Sequence, residues 1–529
     1  MADLSIAALA ELAFASPNPT YRTLTSPLDG QVIGEVPLST PDDVGPACRQ
    51  ARLAGSSWSD LSVATRAKVA DRFRDLVLDH CEELLDLIHL ENGKSRLHAF
   101  EEVLDATLCA GYYAQTAAIH LADRCRAGAI PVLTSTIERR LPEGLVGIIS
   151  PWNYPFTLAC SDAIPALLAG NAVVLKPDSL TPFCALAAKA LLVEAGLPAE
   201  LFQIVIGPGS ELGTPLIKAS DHVMFTGSTA TGISVAERCA SDLTPFSAEL
   251  GGKNPMLVLA DADIAKTVEG AMQACFSTTG QLCVSIERVY VHQSIFDEFV
   301  AAFVERTKQL VVSTDGGWEV DLGPLISVEH LAKVHSHVDD AMAKGATLLA
   351  GGQARPDLGL TCYEPTIFTG VTEEMTLCRQ ETFGPVVAVY PVADDDEAVA
   401  RANDTNYGLN ASVWSSSPQH GRAVAKRLRA GTVNINEGYA AAWASHDSPM
   451  GGMGVSGIGR RHGAEGIQRF TQAQTVSLQR WLRLAPPPGV PRDVYAKVMK
   501  LGGRVLHRLP ISLCRQLIDW LKEIMGGLL

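Results

Sequence analysis

Three residue types, spaced along this chain, could together carry acyl chemistry at a carbonyl. Gly280-Gln281-Leu282-Cys283 offers a thiol three residues behind a glycine that allows an unusual loop. A cysteine acts as a nucleophile when its thiolate is accessible and activated. Glu249-Leu250-Gly251-Gly252 follows a stretch of strand-like composition. A glutamate beside two glycines can move as a general base. Asn153 follows an apolar run and sits between Trp152 and Tyr154-Pro155, where its amide could donate to an oxyanion. Each has a plainer reading when taken alone: a core cysteine, a solvated glutamate, a turn-forming asparagine.

These residues need rigid elements to aim them. Thr40-Pro41 with Asp43 reads as a helix start. Residues 59–90 carry helix-like apolar spacing through Val69, Phe73, Leu76, Val77, Leu84, Leu85 and Ile88, and Asn92-Gly93 supplies a stop. From Leu145 the texture changes. Short apolar runs at 145–149, 172–175, 202–206, 222–225 and 256–259 read as strands, with helical composition at 182–194 and 230–238 between them. That alternation predicts a parallel, doubly wound sheet, which binds ligands at the carboxyl ends of its strands. The segments that follow the strands are Pro151-Trp152-Asn153, Lys176-Pro177-Asp178-Ser179, Gly207-Pro208-Gly209 and Thr226-Gly227-Ser228. A second α/β stretch runs from about 251 to 450, and the chain carries no internal repeat.

Bulk properties exclude some function classes. The chain has 529 residues, 47% apolar and 19% charged, which suits a globular enzyme with a large core. The net charge of −15 speaks against a nucleic-acid partner, which needs a basic face. The longest largely apolar stretch, 163–175, is shorter than the ~20 residues that span a bilayer. The N-terminal segment carries Asp3 and Glu11 with no leading basic residue, so a cytoplasmic protein is expected. Twelve cysteines show neither CxxC nor Cys/His spacing, so reduced thiols and no metal site are expected.

Taken in order, the motifs are far more specific. Pro151–Pro155, Lys176-Pro177, Phe225–Gly232, Glu249–Pro255, Gly280–Cys283 and Glu381–Pro385 run in a sequence that resembles the aldehyde dehydrogenase superfamily, and 431–436 and 449–457 extend the match. The resemblance covers about 20–480. It implies an α/β fold with a Rossmann-type cofactor domain at 1–137 and 146–250 and a catalytic domain at 251–450. It further implies a β-arm for oligomerisation at 138–145 and 468–485, leaving 486–529 as a C-terminal extension. The arm implies a homodimer or homotetramer. The implied roles are Cys283 as nucleophile, Asn153 and the Cys283 N–H as oxyanion donors, and Glu249 as the base that activates water. Trp152, Asn153, Lys176, Pro177, Asp178, Ser179, Gly227, Ser228, Leu250, Glu381 and Phe383 are implied to bind the cofactor.

No GxGxxG follows a strand; Gly227-Ser228 opens a helix whose N-terminus can meet pyrophosphate instead. NAD-specific relatives resemble Lys-Pro-x-Glu, and Ser179 stands at the glutamate position. Without that carboxylate a 2′-phosphate is not repelled, so NADP is expected, with NAD possible. Lys176–Ser179, Tyr439–Ser445 and Arg460–Gly466 are most similar to succinate-semialdehyde dehydrogenases of the second, NADP type. Those enzymes carry an arginine where this chain has Ser161, followed here by Asp162. The substrate is therefore succinate semialdehyde held by another cation, with Arg288 nearest Cys283 in sequence, or a neutral aldehyde. Trp152, Tyr154, Phe156 and Trp443 would border an apolar tunnel for the latter. A relative passing the thioester to coenzyme A would lack Glu249, and a non-catalytic protein on this fold would be expected to have lost Cys283 or Glu249.

The proline-rich 485–489 precedes a basic tail, 492–529, with seven Lys/Arg and three Asp/Glu. Leu513, Leu517, Ile518, Leu521, Ile524 and Met525 recur there at helical spacing beside Trp520. Such a helix docks on its own subunit or oligomer or lies on a membrane surface, with a disordered tail as the remaining reading.

Overall fold

In the computed structural model the described residues are 2–129, 134–479 and 485–506. The tail helix expected through Leu513–Met525 lies outside them. No helix among the described residues is long and apolar enough to cross a membrane.

The chain divides into two compact units. The first, Met1–Ala117 with Glu143–Phe470, holds two large sheets. One is six-stranded, in the order Gly457–Ile458, Phe246–Glu249, His222–Thr226, Leu145–Ile149, Ala172–Lys176 and Phe202–Ile204. Its neighbours are parallel except for Gly457–Ile458, which runs antiparallel to Phe246–Glu249. The four internal strands are almost wholly buried. That is why Leu145–Ile149 and Ala172–Lys176 read as near-continuous apolar runs rather than alternating ones. The other sheet is seven-stranded: Thr347–Ala350, Thr366–Thr369, Val386–Val392, Ile286–His292, Asn254–Val258, Asn410–Trp414 and Thr432–Ile435. Only Thr347–Ala350 is antiparallel. The apolar run at 256–259, read as one more strand of the first alternation, thus belongs to the second sheet. Periodicity identifies a strand but not its partners.

The helix Pro41–Ser59 starts as expected, with the Asp43 carboxylate accepting from the Thr40 N–H at 2.7 Å. The continuous apolar spacing at 59–90 resolves into two helices, Val63–Asp79 and Cys81–Asn92, broken at His80. Both bury a stripe of the same spacing, so one non-helical residue leaves no mark on the pattern. Gly93 stops the second at φ 83°, where a Cβ would also press on Pro27 and Pro324 at 2.9 Å.

The second unit, Ala118–Pro142 with the chain from Thr471, contains a three-stranded antiparallel sheet. Thr134–Pro142 is its centre, flanked by Thr471–Gln479 and Arg124–Arg126. The arm strand expected at 138–145 therefore starts four residues earlier and ends three residues earlier. Thr471 pairs with Pro142, and Leu145 already belongs to the six-stranded sheet. The helix Arg492–Leu506 leaves Val494, Val498, Met499 and Leu501 exposed.

Candidate active site

Asn153 follows the strand Leu145–Ile149 in a turn held from behind. The Asn92 amide donates to the Trp152 carbonyl at 2.8 Å, and the Lys94 ammonium donates to the Asn153 carbonyl at 2.8 Å. Lys94 also pairs with Glu102 at 2.6 Å, both side chains fully buried. Glu102 in turn accepts from the Phe156 and Thr157 N–H groups at 2.7 and 3.0 Å. A buried ion pair that satisfies backbone groups is costly to break, because either partner alone would be an uncompensated charge. The Asn153 Nδ2 donates to the Gln281 carbonyl at 2.9 Å, so its amide sits on the Cys283 loop.

That loop is strained. After the helix Ile264–Phe276 the backbone enters the left-handed region at Thr278 (φ 51°), Thr279 (φ 56°) and Gly280 (φ 68°). Two β-branched residues there cost on the order of 1–3 kcal/mol each. Hydrogen bonds hold them: Thr278 with the Tyr154 hydroxyl at 2.9 Å, and Thr279 to the Gly323 carbonyl at 2.8 Å. Gly280 is pressed against the Gly384 carbonyl, which a Cβ would strike. The Gln281 side chain accepts from the Ile326 N–H at 2.9 Å, and Asn254 donates to the Cys283 carbonyl at 2.7 Å. Burial, with Glu381 and Glu249 nearby, pushes the Cys283 thiol up to about 12, against the opposing pull of Arg461.

Two carboxylates face the same space. Glu249 ends the strand Phe246–Glu249, with Gly457 paired beside it. Burial raises it to about 7, while Arg461 and Arg469 pull the other way. Its Oε1 is buried without a hydrogen-bond partner among the described residues. Glu381 is likewise raised to about 7, by burial and then by Glu287. It accepts from the Gly252 N–H at 2.9 Å. Glu287 pairs with Lys253 and accepts from the Thr382 and Phe383 N–H groups at 3.0 Å, which shapes the Glu381–Phe383 loop. Phe383 itself stands at φ 60° and packs edge-on against Trp152, with ring centroids 5.5 Å apart.

Of the residues singled out from sequence, Trp152, Asn153, Gly227, Ser228, Glu249, Leu250, Cys283, Glu381 and Phe383 line one cavity of about 250 Å³. Lys176, Pro177, Asp178 and Ser179 lie outside that lining, at the carboxyl end of the neighbouring strand. Lys176 donates to the Pro177 carbonyl at 2.9 Å, and burial lowers its ammonium below the ordinary lysine range. The Asp178 carboxylate accepts from the Leu180 N–H at 2.9 Å, and the Ser179 hydroxyl donates to the Gly207 carbonyl at 2.9 Å. Ser228 caps the helix Thr229–Asp242, whose N-terminus opens at the cavity wall. A helix N-terminus with one lysine at the end of a strand two places along the same sheet is a donor set that suits phosphates. The residues present therefore fit a phosphate-bearing dinucleotide.

Three expectations are corrected. Arg288 is not in the cavity. It is buried and donates to the carbonyls of Lys253, Arg401 and Ala402 at 2.8–3.2 Å. Phe156 stacks on Phe73 within the core, so Tyr154, Trp443 and Leu158 supply the apolar wall instead. Asp162 is a buried anion between Arg461 and Arg469, not a group turned toward substrate. Arg461, quoted only as part of a motif, lines the cavity and also donates to Thr226 at 2.7 Å. Its position was hidden because its partner, Asp162, lies far away in sequence. His330 and Lys333 line the cavity too, and no motif announced them.

Residues 14–476 match the sequence model of the aldehyde dehydrogenase family. A protein of Mycolicibacterium smegmatis named "Putative succinate-semialdehyde dehydrogenase (NADP(+))" is 49% identical over 506 residues, covering 96% of this chain and 97% of its own. Betaine aldehyde dehydrogenase from Staphylococcus aureus, solved with NAD+, superposes with a TM-score of 0.84 at 33% identity, covering 89% of this chain and 94% of the other. An Escherichia coli NADP-dependent enzyme gives a TM-score of 0.84 at 33% identity, covering 88% and 96%. With thiol, carboxylate and amide gathered on one cavity and the match running nearly end to end, this chain belongs to the aldehyde dehydrogenase family.

Proposed function

We propose that this chain oxidises an aldehyde to the carboxylic acid through a thioester on Cys283, with NADP as cofactor and succinate semialdehyde as substrate. The carrying observation is the cavity that holds Cys283, Asn153 and an unpartnered Glu249 together. The Cys283 sulfur, once deprotonated, adds to the aldehyde carbon. The carbonyl oxygen becomes an oxyanion that accepts from the Cys283 N–H and from Asn153, whose amide has a second hydrogen beside the one given to Gln281. Such a donor contributes about 3–4 kcal/mol to the transition state. The cofactor supplies the hydride acceptor; Gly227, Ser228, Glu381 and Phe383 would hold it, with Lys176 and Ser179 at the adenosine end. Loss of hydride from the adduct leaves the thioester. Glu249, poised near 7, then takes a proton from water as the water oxygen bonds to the acyl carbon. The C–S bond breaks, Cys283 leaves as thiolate, and the acid is released.

The relatives' name supports the semialdehyde, and Ser179 supports NADP because no carboxylate repels a 2′-phosphate there. A neutral aliphatic aldehyde is the second reading, favoured by the wall of Leu158, Tyr154, Leu282, Trp443 and Met450. The test is kcat/KM for succinate semialdehyde, butanal and hexanal with NADP and with NAD. The first reading expects succinate semialdehyde with NADP to lead by tenfold or more. A rise with chain length, near the ~0.8 kcal/mol of each buried methylene, would transfer the assignment to neutral aldehydes. We also infer a cytoplasmic homodimer or homotetramer joined through the arm, whose strand Thr471–Gln479 exposes Val476 and Leu478.

A further inference from the structure

The structure gathers a second set of chemically capable side chains behind the cavity wall. Asp105 lies in the helix Arg96–His120, His446 just after the short helix Ala440–Trp443, and His462 at the start of Gly463–Gln468. Each offers one ligand atom, and these atoms lie within 4.8 Å of one another, all three residues being buried. The His446 Nε2 is 3.3 Å from the Asp105 Oδ1, and the two imidazole rings are 4.3 Å apart between centroids.

What distinguishes the set from an ordinary buried cluster is its unmet polar valence. Asp105 Oδ1, both ring nitrogens of His446 and the Nδ1 of His462 are buried without a hydrogen-bond partner among the described residues. Buried polar side-chain atoms are ordinarily satisfied, so unmet atoms on three residues in one place point to something that binds them. We propose that Asp105, His446 and His462 form a binding site for a divalent transition-metal ion, with zinc the best match.

The chemistry agrees. Two imidazoles and one carboxylate suit zinc and its neighbours, and water completes the shell. Zinc–ligand bonds of about 2.1 Å set tetrahedral edges of about 3.4 Å, and the Asp105–His446 edge is 3.3 Å. The ligands are also held in place. Thr157 donates its hydroxyl to the Asp105 Oδ2 at 2.5 Å, leaving Oδ1 as the open oxygen. The Gly463 N–H donates to the His446 carbonyl at 2.7 Å, tying the two histidine loops together, and His462 is locked at φ 61°. Outer partners of this kind orient metal ligands. Opposing charge comes from Arg461 and Arg469, which Asp162 offsets between them.

The placement gives the ion a consequence. Thr157, bonded to Asp105, and Arg461, next to His462, both line the active cavity. A bound ion would fasten these two parts of the wall to the helix Arg96–His120. Its role is thus to hold the cavity in shape rather than to touch substrate.

The test uses the full chain, stripped with a chelator and titrated with Zn²⁺ or Co²⁺ alone. The expected result is one equivalent bound per chain, a rise in Tm on binding, and visible Co²⁺ absorption without a thiolate charge-transfer band. Cys283→Ser should keep that equivalent. His446→Gln and Asp105→Asn should each lose it, along with the rise in Tm. Two results overturn the proposal. One is failure of the stripped wild-type chain to take up either metal, which needs no variant to fold. The other is uptake that disappears in Cys283→Ser but survives in Asp105→Asn, which would place the ion on the nucleophile.

Discussion

Glu249 and Glu381 face one cavity from two different regions, and they differ in restraint rather than in charge. Glu249 closes a strand of the six-stranded sheet; Glu381 sits in the loop that leads into Val386–Val392 of the seven-stranded sheet. Burial lifts both to about 7. Yet Glu381 is tied to the Gly252 N–H, while one oxygen of Glu249 has no partner among the described residues. Both acids are raised, but only an untied carboxylate can turn to take a proton from water. A tied one is suited to holding a ligand in place. The contrast separates chemistry from positioning within one cavity.

The comparison breaks most sharply under paired substitution. Glu249→Gln should lower steady turnover by about 10²–10³-fold, because a positioned general base contributes that much. A burst of about one NADPH per site should survive, since thioester formation precedes the lost step. Glu381→Gln should leave hydrolysis, and so any burst, as in the unsubstituted enzyme and should raise the cofactor KM more than it lowers kcat. Identical behaviour of the two variants would erase the distinction. The pH profile sharpens it. Glu249 accepts a proton only as carboxylate, so hydrolysis-limited turnover should fall about tenfold per pH unit below ~7. That limb should vanish in Glu249→Gln and persist in Glu381→Gln.

Ser179 is another tied group, hydrogen-bonded to the Gly207 carbonyl. Ser179→Glu should therefore move the NADP-to-NAD ratio of kcat/KM toward NAD by about tenfold or more with kcat little changed, through repulsion of the 2′-phosphate. An unchanged ratio would place the adenosine ribose elsewhere. The smallest effect is on stability. A carboxyl raised on folding costs stability that grows as pH rises from its unfolded value of 4.5 to its folded value near 7 and is fully present above that. For Glu249 that is up to about 3 kcal/mol. Glu249→Gln should accordingly raise Tm by a few degrees at pH 8 and hardly at all at pH 4. Glu381→Gln should gain less, because it exchanges a charge-assisted bond from Gly252 for a neutral one. Equal Tm shifts at pH 8 would count against the unpartnered state of Glu249.

The division between legible and hidden features follows sequence distance. Leu145–Ile149 and Pro182–Glu194 appear in the sequence at their observed limits, because burial on both faces and a proline start leave local marks. Cys283, Glu249 and Asn153 stand out because strand ends and glycine-bordered loops are local too. The clamp of Lys94 and Glu102 on the Asn153 turn leaves no such mark, and neither does the pairing of Arg461 with Asp162. The meeting of Asp105 with His446 and His462 is as hidden, Asp105 being far from both along the chain and within 4.8 Å in space.

By itself, then, the sequence marked candidate side chains and the strand ends or glycine-bordered loop on which they stand. Periodicity and turn chemistry act over a few residues and survive translation into one dimension. The tertiary structure alone decided which carboxylate is tied and which is loose, and how far burial shifts each acid. It also decided that Arg288 is consumed by backbone carbonyls while Arg461 reaches the cavity. Desolvation and long-range pairing depend on the whole surrounding volume, and no short window of residues contains it.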